Sequence, residues 1–205
     1  MTDAGAFHPD LDLWDAWTPE EIAERLRGVD VRWYVLAGWA LDLFVGRKTR
    51  EHEDLEIGIP SDAFPRVREA LAGYELFVVG DGLAMPLSKP ALAEHRQTWV
   101  RERATGLWRV DVVRETWVDG VWEFRRDDRI RLHGDDLILR TPTGIPYIRP
   151  EVALLFKAKA PRPKDEADFA TMLPLLDRHR RAWLAGALEP AHPGHDWLGV
   201  LAERG

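Results

Sequence analysis

Cysteine is absent from this chain of 205 residues, which removes disulfides, thiolate metal sites and a cysteine nucleophile together. No apolar run approaches the roughly 20 residues that a membrane-spanning helix needs, so no membrane partner is expected. Positive charge is also short: 28 Lys and Arg stand against 35 Asp and Glu, a formal net charge of -7. Binding to a phosphate backbone relies on clustered Lys and Arg, so general nucleic-acid binding is not expected either. The opening residues Met1, Thr2, Asp3, Ala4 and Gly5 lack the basic region of a secretory leader, and the expected location is the cytoplasm. Internal repeats and low-complexity tracts are missing as well. What remains is a chain long enough for a substantial core, with ten tryptophans, most of them expected in that core or lining a groove.

The informative stretch is residues 36–56. Residues 31–37 read as an apolar strand, Gly38 permits a tight turn, and residues 39–45 continue at helical spacing to a C-terminal glycine, Gly46. A helix starting after such a turn presents free N–H groups to an anion. After the basic loop Arg47, Lys48, Thr49 and Arg50, residues 54–59 alternate strictly. Asp54, Glu56 and Gly58 share one face, and Leu55, Ile57 and Ile59 share the other. The two carboxylates then stand roughly 6.6 Å apart at Cα, a spacing suited to converging on a hard cation. Taken alone, an Asp-x-Glu pair on an amphipathic strand is more often two solvated acids.

The context changes that balance. Ala37, Gly38, Trp39, Ala40 and Asp42, then Gly46 and Arg50, then His52, Asp54 and Glu56, resemble the signature of the nucleotidyltransferase superfamily that includes DNA polymerase beta. The nearest likeness is to the aminoglycoside 2''-O-nucleotidyltransferase and lincosamide nucleotidyltransferase group. Ala37 stands where that pattern has its first glycine, and Glu56 where aspartate is frequent. The resemblance implies an α/β (α+β) nucleotidyltransferase fold with a mixed sheet and a small helical C-terminal portion. It also implies Mg2+ held by Asp54 and Glu56, and ATP or another nucleoside triphosphate as co-substrate, met by Gly38, Trp39, Arg50 and His52.

Such enzymes need a third carboxylate from a neighbouring strand. Residues 95–102 and 107–115 have the shape of a hairpin around Ala104, Thr105 and Gly106. In its second arm Trp108, Val110 and Val112 share a face, with Arg109, Asp111, Val113 and Glu115 opposite. The resemblance implies that Asp111 completes the metal-binding set and serves as general base toward an acceptor hydroxyl. Glu115 is a second base candidate, balanced against an ordinary acid at a strand end.

Elsewhere the sequence supplies scaffold. Thr18, Pro19 and Glu21 form a helix-opening signature, residues 61–72 read as a helix, 74–79 as a strand, and 117–124 and 129–132 as further strands. The texture changes at 141–146, after which helical spacing prevails over 150–159, from 164, over 180–188 and over 195–204. Residues 1–140 are therefore expected to form the catalytic domain, and 141–205 a helical portion lining the acceptor groove. In the second half, Lys157, Lys159, Lys164, Asp165 and Asp168 match a Lys-Asp-x-x-Asp segment of related nucleotidyltransferases, which implies that Lys164 and Asp165 support the nucleotide site. Acids in a first helical turn also meet the helix dipole without further duty, the preferred reading of Glu166. His192 and His195 lack a matching ligand set and read as surface loop.

The function expected is transfer of a nucleoside monophosphate, AMP from ATP first, to a hydroxyl of a small molecule. An aminoglycoside is the leading acceptor, and with it a part in antibiotic resistance. The alternatives are a nucleotidyltransferase that modifies RNA or protein, and a non-catalytic nucleotide-binding module. Oligomeric state is not legible.

Overall fold

The structure, a computed structural model, describes residues 5–203. By packing, these residues divide into two compact units: the chain up to Val35 with Glu51–Thr116, and Leu36–Arg50 with the chain from Trp117 onward. The division follows packing rather than the change of texture at 141.

The first unit is a six-stranded mixed sheet with helices. Helix α1 (Pro19–Arg25) starts as its sequence dictates, with the Thr18 hydroxyl accepting from Glu21 N–H, the Glu21 carboxylate returning the bond to Thr18 N–H, and Pro19 at the first helical position. Strands β1 (Tyr34–Val35), β2 (Glu56–Pro60), β3 (Glu75–Gly80), β4 (Leu83–Pro86), β5 (Gln97–Arg101) and β6 (Trp108–Val118, of which Thr116 is the last residue in this unit) lie in the order β4-β3-β5-β6-β2-β1. Only β2 and β6 run parallel in this set; the other pairs are antiparallel. Leu55, Ile57 and Ile59 are fully buried, as the alternation requires, each contributing about 1.5–3 kcal/mol on transfer from water. Trp108 packs with Val79 and Ala84, and Phe7, Trp14, Phe77 and Trp99 gather round it.

Several boundaries differ from the sequence reading. The expected strand over 31–37 shrinks to Tyr34 and Val35 because the next helix begins at Ala37. Residues 61–72 divide into a 3-10 turn, Ser61–Ala63, and α3 (Phe64–Ala70), since Pro65 suits a first helical turn. Strand β4 and helix α4 (Lys89–Glu94) carry too few residues to show a period, and went unread. The expected single strand over 117–124 is broken at Asp119 and Gly120, with φ of 51° and 79°, which returns the chain from β6 to β7 (Val121–Glu123).

In the second unit, α2 (Ala37–Val45) packs against α6 (Pro150–Lys157) and α7 (Pro163–Met172); α6 also meets α8 (Arg178–Ala191), and α8 meets α9 (Trp197–Glu203). The helix expected over 195–204 thus begins two residues later, and Arg204 lies outside the described residues. Strand β7 pairs with β8 (Arg131–His133), a single turn, α5 (Gly134–Leu137), follows, and β9 (Ile138–Arg140) forms a hairpin with β10 (Pro146–Ile148). Phe169 and Trp197 stack at 4.1 Å between centroids, and Trp197 Nε1 donates to Glu166 at 2.8 Å, so Glu166 anchors α9 in addition to meeting a helix dipole.

One backbone angle carries a prediction. The left-handed conformation falls on Ala37, with φ of 51°, and not on Gly38, which lies inside α2. A Cβ in that region costs roughly 1–2 kcal/mol, partly offset by the smaller chain entropy of alanine, about 0.4–1 kcal/mol. Ala37→Gly is accordingly expected to raise stability by about 0.5–1 kcal/mol, read from urea unfolding. A loss of stability would show that alanine suits this turn.

Candidate active site

The parallel register of β2 and β6 sets Glu56 directly beside Asp111, Gly58 beside Val113, and Pro60 beside Glu115. Asp111 N–H donates to the carbonyl of Leu55 at 2.8 Å, which locks that register one residue before Glu56. The pairing brings two of the three expected ligands to adjacent positions on one face. Asp54, exposed in the loop just ahead of β2, acts on the same carboxyl through space.

Asp111 is 2% exposed. Its Oδ2 accepts from Gln97 Nε2 at 2.5 Å, while its Oδ1 is buried with no hydrogen-bond partner. Trp99, opposite Asp111 across the β5–β6 pair, also has a buried indole Nε1 without a partner. Burial, then the charge of Glu56 and more weakly that of Asp54, push the Asp111 carboxyl well above the usual carboxylate range, against the pull of Gln97 and, more weakly, of the Trp99 indole, which faces the carboxyl without reaching hydrogen-bond geometry. A divalent cation on this face would reverse that penalty. Among the described residues no three His, Cys, Asp or Glu side chains form a closed metal cage. Magnesium seldom needs one, since it usually takes one or two carboxylates together with water and substrate phosphates. The hard oxygen donors and the unpartnered buried Oδ1 fit such an ion.

Glu115 is a different case. It lies four residues beyond Asp111 on β6, roughly 13 Å at Cα at about 3.3 Å per residue. It is buried, not a solvated strand-end acid, and accepts a hydrogen bond from the Tyr34 hydroxyl at 3.0 Å. That bond ties it to β1. Gly58 makes that bond possible, because a Cβ there would lie 2.6 Å from the Tyr34 ring. Gly58→Ala is expected to lower stability by about 1–3 kcal/mol, the usual range for overpacking. An unchanged melting point would mean that the ring moves aside freely.

In the second unit the motif residues serve mainly to hold the loop after α2. Gly46 ends the helix in the left-handed region, with φ of 80°, and its N–H returns to the carbonyl of Asp42. The buried Asp42 carboxylate accepts from Thr49 N–H at 3.1 Å and from the Thr49 hydroxyl. Lys48 Nζ lies 5.7 Å from the centre of the Trp39 ring. Arg50, expected at the nucleotide, spends Nε and Nη2 on Asp168, both at 3.0 Å. Lys157, buried, bridges Asp168 at 3.0 Å and Asp165 at 2.8 Å, and Arg162 closes the other side of Asp165 at 2.8 Å. Burial pushes the Asp165 carboxyl up, but hydrogen bonds from Arg162 and Lys157 outweigh it and hold the group far below the usual range. Asp168 is likewise held low by Arg50 and Lys157 against its burial. Asp165 is thus a buried member of this network. Lys164 is half-buried beside it, and His52 is half-buried in the loop preceding β2 in the first unit.

Sequence reasoning misses two residues that matter here, while Lys157 and Asp168 enter it only as members of the matched segment. Gln97 gave no signal beyond its place in an alternating strand opposite an acid. Glu151 is fully buried between Arg149 and Arg180, 2.9 Å from the latter, yet reads in sequence as a first-turn acid.

Comparison with known proteins follows the same lines. Residues 20–88 match the family model described as aminoglycoside-2''-adenylyltransferase. No curated protein matches the chain. Among solved structures, the lincosamide antibiotic adenylyltransferase LnuA, lincomycin-bound, aligns with a TM-score of 0.55 at 19% identity, over 77% of this chain and 95% of its own. ANT(2'')-Ia in complex with adenylyl-2''-tobramycin aligns with a TM-score of 0.56 at 12% identity, over 83% and 95%. The solution structure of ANT(2'')-Ia gives 0.58 at 13% identity, over 95% of both chains. At these identities the structures establish a shared fold, while residues 20–88 carry the family signature. Residues 20–88 are thus similar to the aminoglycoside-2''-adenylyltransferase family, and the chain shares the fold of these lincosamide and aminoglycoside adenylyltransferase structures.

Proposed function

We propose that this protein transfers a nucleoside monophosphate, AMP from ATP, to a hydroxyl group of an antibiotic-like small molecule, with an aminoglycoside as the first acceptor to test. One observation carries the reading. The parallel register puts Glu56 against Asp111, and Asp111 keeps a buried carboxylate oxygen without a partner, in a chain whose residues 20–88 match an adenylyltransferase family.

Asp54, Glu56 and Asp111 are the residues that would hold Mg2+, which when bound supplies charge stabilisation for in-line displacement at phosphorus. Gln97 fixes one oxygen of Asp111, so that the other faces the reacting groups. In the reaction proposed, the acceptor hydroxyl oxygen forms a bond to the α-phosphorus, the bond from that phosphorus to the bridging oxygen breaks, and pyrophosphate leaves with the electron pair. Asp111 takes the hydroxyl proton. Gly38 and Trp39 in the first turn of α2, with His52, are proposed to meet the nucleotide, and the loop held by Arg50 and Asp42 sets where that turn stands. A formal net charge of -7 favours a polycationic acceptor by long-range attraction, screened over about 8–10 Å at ordinary ionic strength.

The test is incubation with ATP and magnesium across panels of aminoglycosides and lincosamides, scoring pyrophosphate and the mass gain of the acceptor. A mass gain of one nucleotide on a small molecule is expected, weakening as salt rises for an aminoglycoside. Nucleotide addition to RNA or protein, with none on either antibiotic class, overturns the acceptor reading.

A further inference from the structure

Strand β5 brings a second donor to Asp111 besides Gln97. Trp99 stands directly opposite Asp111 in the antiparallel register, while Gln97 lies one row along, opposite Val113. Asp111 turns its backbone toward β2, where its N–H meets the carbonyl of Leu55, so no backbone hydrogen bond joins it to Trp99. In antiparallel pairs of that kind the side chains lie closest, with Cα atoms about 4.5 Å apart. The two side chains share one face. Each ends in a buried polar atom with no hydrogen-bond partner, Nε1 of the indole and Oδ1 of the carboxyl. An indole N–H only donates and an ionised carboxyl only accepts, so the two are complementary.

The packing around the indole keeps it from turning away. At the step between Val100 and Arg101 the register slips, so that Arg109 is an extra residue in β6 and Trp108 falls opposite Arg101. This bulge takes Trp108 off the face of Val110 and Val112, where plain alternation puts it, and sets it beside Trp99. Trp108 meets the Trp99 ring edge-on at 5.4 Å, and Trp14 does so at 5.0 Å. Trp108 is buried and itself pinned, since its Nε1 donates to the carbonyl of Asp10 at 3.1 Å. A buried donor without a partner is uncommon in a folded chain, and one braced beside an unpartnered acceptor asks for a reason.

We propose that Trp99 is a positioning residue for nucleotidyl transfer: when the site is loaded its indole N–H closes on Asp111 Oδ1, so that Trp99 and Gln97 hold the two carboxylate oxygens from the side of β5. The inference rests on the transfer reaction proposed above. A carboxylate oxygen has two acceptor positions, so Oδ1 keeps one for a cation on the side of Glu56. Bonds of this kind are often long in an unloaded site and tighten in the complex. With both oxygens held, the carboxylate cannot turn, and the same oxygen always meets the cation.

The test compares the full chain with Trp99→Phe, and with a chain carrying benzothienylalanine at position 99, which keeps the bicyclic shape and lacks the N–H. Binding of Mg2+ with a non-hydrolysable ATP analogue is measured by calorimetry, and transfer by turnover. Both substitutions should weaken binding by about tenfold or more, as is usual for groups that orient a metal ligand, and lower kcat by a similar factor with the acceptor KM unchanged. In isotope-labelled parent, the indole resonance that is missing from Trp99→Phe should move downfield on addition of Mg2+ and the analogue, and stay in place in Asp111→Asn. If the parent binds Mg2+ and the analogue yet modifies no acceptor, the transfer reading fails while binding and the resonance still decide the role of Trp99. Parental affinity and turnover in the benzothienylalanine chain, or an unmoved indole resonance, overturns that role and leaves the transfer reaction standing. A parent with no affinity for Mg2+ and the analogue overturns both.

Discussion

Asp111→Asn is expected to reduce nucleotidyl transfer by about 10³-fold or more, since a positioned proton acceptor alone is worth about 10²–10⁴-fold and a cation ligand goes with it. Stability should not follow activity down. The buried carboxyl is pushed up by burial and by Glu56, so its ionised form opposes folding. A group with a raised folded pKa lends stability below its unfolded value and loses it as pH rises through the folded one. Without divalent cation, the Asn variant is therefore expected to melt no lower than the parent, with an advantage that grows as pH climbs past the carboxylate range. Magnesium with ATP should raise the melting point of the parent and leave that of the variant nearly unmoved. Transfer at the parental rate, or a variant melting several degrees lower in EDTA, would make Asp111 a scaffold residue.

The largest loss of stability is expected from Lys157→Met. The substitution keeps the length of the side chain but leaves Asp165 without one of its two cations and Asp168 with Arg50 alone. Breaking a buried pair by removing one partner costs about 3–5 kcal/mol, because an uncompensated charge stays behind. Urea unfolding reads that loss, and Lys157→Met combined with Asp168→Asn should recover part of it. The pH response has a definite sign. Asp165 and Asp168 have folded values below their unfolded ones, so their stabilisation is complete at neutral pH. It fades as pH drops below about 4 toward the folded values. The variant should show a flatter loss of stability on acidification. A cost under about 1 kcal/mol would place this network with the weak surface pairs.

How much of this was legible depends on range. The alternation over Asp54–Ile59 and over β6 is a local property with a period of two, so the face of each acid is legible, whereas the choice of Asp111 as a third acid comes from the family resemblance. The cap at Thr18 and the stop at Gly46 are equally local. The register that sets Glu56 against Asp111 is not, because pairing between distant strands leaves no trace in either strand alone. The ion pair of Arg50 is illegible for the same reason: its partner Asp168 lies 118 residues away. Ala37 was visible as a departure from the family pattern, but its positive φ was not. Gln97 and Glu151 carry no local signature, since nothing in their immediate sequence says which charge they will face.

The parallel pairing of β2 with β6 also bears on the order in which the protein is made and folded. Strand β2 cannot find its partner until residues 61–107 and β6 itself have been synthesised. Closing so long a loop is entropically costly, and long-range parallel pairing is slow compared with hairpins and helices. The recognisable stretch, residues 20–88, ends before β6 and thus contains Asp54 and Glu56 but never Asp111. A nascent chain released at that point would carry the family's signature without its acid pair. The two carboxylates become neighbours only after the intervening chain has closed around them, which delays their mutual repulsion until much of the surrounding sheet is available to bear it.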